Sequence, residues 1–185
     1  MHKEIISYRS VGRLSFLEAR FACKRSRGGD IISIDKYNLK RRVKALIGVV
    51  IGEKGAGKTK KLLNHANKMA AESKGSVVFV DDDNSYMFDL ATSIRFINAS
   101  TYNIKSSKML YGFICGIAAQ DFDLEYIYID GFKNFIHHSL SELRPFFTSL
   151  GEVAEKNNLS VILSISGSET DLPEYIKELI MEIPN

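Results

Sequence analysis

The chain has 185 residues, 25 Lys and Arg against 22 Asp and Glu, a formal charge of +3 and a hydrophobic share of 45%. That length suits one domain with a full apolar core and is short for two, and the composition is that of a globular protein. No apolar run approaches the ~18 residues needed to span a bilayer, the first residues lack a secretory apolar stretch, and Cys23 and Cys115 alone make no disulfide framework, so a reducing cytoplasm is the expected setting.

Charge is spread unevenly. Residues 1–45 hold 12 Lys and Arg against 4 Asp and Glu, leaving 13 against 18 for the remainder. Residues 1–44 show no sustained apolar periodicity and read as a basic, poorly ordered N-terminal extension. Such an arm could meet nucleic acid through phosphate contacts. From residue 45 to 185 short apolar runs alternate with amphipathic stretches, as in βα units built on a parallel sheet.

The first run, residues 45–51, predicts a buried strand leading into Gly52. A helix is predicted over 58–73, with Leu62, Leu63, Ala66, Met69 and Ala70 on one face. Gly75 breaks it, and a second strand over 76–80 runs into Asp81, Asp82 and Asp83. A short helix is predicted over 86–91 and a short strand over 95–98. Residues 106–120 read as a helix presenting Met109, Leu110, Phe113 and Ile117, with Cys115 in the core. A buried strand over 125–129 ends at Asp130-Gly131, and Tyr126 and Tyr128 alternate along it as a polar edge. Ser139 and Glu142 have capping-box spacing for a helix reaching residue 156, although Pro145 would kink or delay it. A strand over 161–165 and a helix over 172–181 close the order. The adjacent His137 and His138 do not share a helix face and read as exposed polar residues.

One segment carries the chemistry. Gly52-Glu53-Lys54-Gly55-Ala56-Gly57-Lys58-Thr59 fits G-x-x-x-x-G-K-[ST], between a strand and a helix, with Lys60 directly after it. Glycines let backbone N–H groups close around a phosphate, and a helix N-terminus adds partial positive charge there. Lys58 is expected to bridge the β- and γ-phosphates and Thr59 to ligate Mg²⁺. Asp130, an acid ending a hydrophobic strand, is expected to hold the same ion through water. The expected cofactors are therefore ATP and Mg²⁺, and the expected fold is a three-layer α/β P-loop NTPase with a mainly parallel sheet and helices on both faces.

With these pieces in place, residues 46–167 resemble a small RecA-type P-loop ATPase. The resemblance implies a catalytic carboxylate just past the strand that follows the loop helix, where Asp83 falls, with Asp82 next. It implies a polar sensor at Ser164 or Ser166. It also implies a sheet whose last strand lies between the loop strand and the Asp130 strand. From Leu46 onward the chain is also similar to small bacterial ATP-binding proteins sometimes labelled twitching-motility ATPases. It lacks the length of a pilus retraction motor, and residues 1–44 would have no counterpart in such relatives.

Other activities fit poorly. After the loop only Arg95 and Arg144 remain, too few for a small-molecule kinase, and no N-K-x-D segment marks a guanine site. Gly131 stands where many ATPases carry a glutamate after the metal aspartate. The leading expectation is a slow Mg²⁺-dependent ATPase acting as a nucleotide-state switch toward an unidentified protein partner. The alternatives are a non-hydrolysing regulatory module and a nucleic-acid-associated ATPase using residues 1–44. Arg95 or Arg144 could complete a neighbouring site in a homo-oligomer.

Overall fold

The structure is a computed structural model that describes residues 46–136 and 138–183; the basic extension, Cys23 and His137 lie outside them. Five strands, β1 (Ile47–Gly52), β2 (Ser76–Asp81), β3 (Ile94–Asn98), β4 (Leu124–Ile129) and β5 (Ser160–Ser166), form a parallel sheet in the order β1-β5-β4-β2-β3. The helices are α1 (Lys58–Glu72), α2 (Ser107–Gln120), α3 (Phe132–Phe135), α4 (Arg144–Asn157) and α5 (Glu174–Lys177). β5 lies between β1 and β4, the order that the resemblance implies.

Strands send successive side chains to opposite faces, so each apolar run feeds two cores. Val80, Ile129 and Leu163 pack on one side with Leu110 and Ile114 of α2 and Phe147 and Leu150 of α4. Val50, Phe79, Tyr128 and Ile162 pack on the other with Leu62, Leu63 and Ala66 of α1. Helices on both faces of a parallel sheet make a three-layer α/β fold. No helix among the described residues is long and apolar enough to cross a membrane.

Several local expectations change. Ser139 caps a 3-10 turn, Leu140–Glu142, and α4 begins only at Arg144 because Pro145, lacking an N–H, fits a first turn. The 86–91 segment holds one 3-10 turn, Met87–Asp89. The C-terminal helix is a single turn. The Val49 N–H then donates to the Leu179 carbonyl at 2.9 Å and Met181 N–H to the Val49 carbonyl at 3.0 Å. Open hydrogen-bonding groups on the edge of β1 thus draw residues 179–181 out of the helix. On α2, Ile114 is buried while Met109 is 46% exposed, and Cys115 is only half-buried. Tyr128 is no edge residue: β4 is central, and the ring is fully buried with its hydroxyl 2.7 Å from His65 Nδ1. Burial raises the Tyr128 pKa and lowers that of His65.

Candidate functional site

β1 delivers the chain to Gly52, and the loop that follows is shaped by three glycines. A Cβ at Gly52 would stand 3.1 Å from that of Ala56, so any other residue here would push the loop back by a few tenths of an ångström. Gly55 and Gly57 have φ of +85° and +77°, a left-handed backbone that glycine adopts without Cβ strain. The Ala56 N–H donates to the Glu53 carbonyl at 3.1 Å and so closes the turn. Lys58 Nζ donates to the same carbonyl at 2.9 Å, which holds the ammonium across the loop. Gly57 caps α1 with no side chain, and no acid sits in the first turn. The leading amides and positive end of α1 are therefore free of internal competition for an anion.

Strand alternation assembles the floor. Asp81, Asp130 and Ser164 are separated by even steps from Phe79, Tyr128 and Ile162, so they leave the sheet on the α1 side. Thr59 Oγ1 donates to Asp130 Oδ2, and Ser164 Oγ donates to Asp130 Oδ1. The Gly131 N–H donates to Ser164 Oγ at 2.9 Å. Asp130 and Ser164 are 6% and 2% exposed. The carboxylate thus has a fixed orientation, set from three elements.

These groups line a cavity of about 850 Å³ that also takes in Lys54, Gly55, Lys60 and Asp81. Gly52, Glu53 and Ala56 shape the loop without lining the cavity. Ser166 is exposed and lies on the cavity wall beside Gly52, its partner in the sheet register. Asp83 is exposed, and its Oδ1 accepts the Ser85 N–H at 2.6 Å, a bond that lowers its pKa. Asp82 Oδ2 accepts from Asn134 Nδ2 at 2.8 Å, tying the end of β2 to α3. Asp81 is 4% exposed, and burial, joined by the nearby Asp130 charge, raises its carboxyl to about 7.

The donor set fits the two expected ligands. Left-handed glycines and a bare helix N-terminus suit a phosphate chain. A hydroxyl meeting a carboxylate, with no soft donor beside them, suits Mg²⁺, which takes oxygen ligands and keeps some water. Neither here nor elsewhere among the described residues is there a group of three His, Cys, Asp or Glu able to bind a metal, so phosphate and water oxygens would have to complete the shell. His138 is exposed, with Nδ1 3.8 Å from Glu142 Oε2. Arg95 donates to Gln120, Arg144 lies 4.9 Å from the Tyr175 ring centre, and neither lines the cavity.

Sequence reasoning passed over Asp81 and Asn134. The signal for Asp81 was its parity with Val77 and Phe79, legible once β2 is known to run through residue 81. Asn134 gave none, because α3 could not be read from four residues.

No known family and no curated protein matches the chain. Among solved structures it is similar to the flagellar accessory protein FlaH from Methanocaldococcus jannaschii, at 16% identity and a TM-score of 0.43, over 79% of this chain and 72% of that one.

Proposed function

We propose that this domain binds ATP with Mg²⁺ on the Gly52-to-Thr59 loop and acts as a slow ATPase whose nucleotide state alters its contact with a protein partner. The observation that carries the reading is Asp130, held by the Thr59 and Ser164 hydroxyls at the foot of a glycine loop that opens α1. Lys58 and the first amides of α1 bind and neutralise the phosphates. Thr59 and Asp130 hold the cation, which, when bound, draws charge from the phosphate oxygens. Ser166 faces the phosphates from the end of β5. The β1-β5-β4-β2-β3 order supports a RecA-like reading, and the lack of an N-K-x-D segment favours adenine.

Hydrolysis is slow because the carboxylates available to orient water are poorly placed for it. Asp83 is the first candidate, but its oxygen already accepts a backbone N–H, which weakens it as a base. Asp82 is the second and is engaged by Asn134. These contacts, with Gly131 after Asp130, favour a non-hydrolysing regulatory module as the second reading. Phosphate release under excess Mg²⁺-ATP separates the two. The wild type is expected to turn over above background and Lys58→Ala to fall to background. Tight ATP binding with equal background rates would establish the second reading instead.

A further inference from the structure

β4 supplies the site with one carboxylate, because Gly131 follows Asp130. The neighbouring strand supplies another. β2 and β4 are in register through Val80 and Ile129, and the Asp130 N–H donates to the Val80 carbonyl at 2.9 Å. Asp81 and Asp130 are therefore the next residues on adjacent parallel strands, whose backbones run about 4.8 Å apart. Both leave the sheet on the α1 side, and both line the cavity.

Asp81 turns a weakly engaged carboxylate toward the cavity. It is 4% exposed, yet its only hydrogen bond among the described residues is from the Asp82 N–H to Oδ1, at 2.7 Å. Nothing there donates to Oδ2, and no Lys or Arg forms an ion pair with it. A buried carboxylate with an open oxygen beside a second carboxylate is costly unless a cation or proton joins them. Asp130 differs, since hydroxyls engage both its oxygens. Asp82, one residue beyond the end of β2, also lines the cavity, but its Oδ2 is engaged by Asn134 Nδ2.

We propose that Asp81 is a second carboxylate of the metal site, accepting hydrogen bonds from the water shell of nucleotide-bound Mg²⁺, so that the cation is held from β2 as well as β4. This rests on the nucleotide-binding reading above. Mg²⁺ suits the arrangement: it takes one or two carboxylates with substrate phosphates and keeps several waters. Carboxylates acting through such intermediates typically contribute 10–100-fold to metal affinity. Asp81 is a positioning residue here; it need not touch the phosphates.

The test uses the full chain with ADP and Mn²⁺, the latter followed by electron paramagnetic resonance. Asp81→Asn retains an oxygen for the Asp82 N–H, and Asp81→Ser offers a smaller acceptor should the amide disturb packing. Both variants are expected to unfold cooperatively and to bind ADP in EDTA no more weakly than the wild type does. Mn²⁺ affinity of the ADP complex is expected to fall about 10–100-fold in each. Undiminished Mn²⁺ affinity in the folded variants overturns the assignment. A wild type that binds no ADP, with or without Mn²⁺, is a separate outcome that overturns the nucleotide-binding reading and this inference together.

Discussion

Asp81, Asp82 and Asp83 are consecutive acids on one cavity wall in three different settings, because β2 ends at Asp81 and the next two residues lie in the turn beyond it. Asp81 is buried at the cavity wall on the α1 side, Asp82 meets Asn134, and Asp83 bonds the turn beyond the strand. Their difference has a pH signature. Burial pushes the folded Asp81 carboxyl up to about 7, against its ordinary value of 3.8 in the unfolded chain. The folded state therefore binds the extra proton between those values, and Asp81 withdraws stability as pH rises through that window. Without metal, Asp81→Asn is expected to melt above the wild type at pH 8, with the gap closing toward pH 4. A gap that is constant with pH would contradict the buried setting. At the same scale, Lys58→Ala removes a charge-assisted phosphate contact of about 1.5–3 kcal/mol, or roughly 10–100-fold in ATP affinity. Direct ATP titration reads that loss.

Among the elements, the five strands were legible because each is a short run rich in apolar residues, four of them ended by Gly or Asp, and α1 because Leu62, Leu63 and Ala66 recur with helical period. Short elements were less legible, since their form depends on distant partners. α5 stops after one turn because the chain beyond it is claimed by the edge of β1. The candidate site was readable where a local motif fixes geometry, at residues 52–59, left open between Ser164 and Ser166 at the end of β5, and obscure where sheet register decides, at Asp81. One side chain couples two elements that the sequence left unconnected. Asn67 of α1 donates to the Asp89 carbonyl at 2.9 Å and accepts the Ala91 N–H at 2.7 Å, pinning the loop that carries Tyr86 on the cavity wall. Loss of two hydrogen bonds in Asn67→Ala is expected to cost about 1–3 kcal/mol in urea unfolding. A change below a few tenths of a kcal/mol would mean that the loop is not held by this residue.

At the scale of the whole domain, the site lies where the carboxyl ends of β1, β2, β4 and β5 meet the start of α1, so binding there joins strands from across the sheet. A ligand on the folded state alone stabilises it by mass action, about 2.7 kcal/mol at 100 times the dissociation constant. Core loss has the opposite effect without touching the site. Leu150 is fully buried on the α2–α4 side, and Leu150→Ala is expected to destabilise by about 2–5 kcal/mol in denaturant titration. A variant within experimental error of the wild type would show that this layer is not part of the cooperative core. The most direct measurement for the domain as a whole is isothermal titration of the full chain with Mg²⁺-ATP beside Lys58→Ala. The expected result is one saturable site in the wild type, weakened at least tenfold in the variant. Absence of saturable binding to the wild type, or equal affinity for both proteins, would contradict a phosphate cradle at this loop.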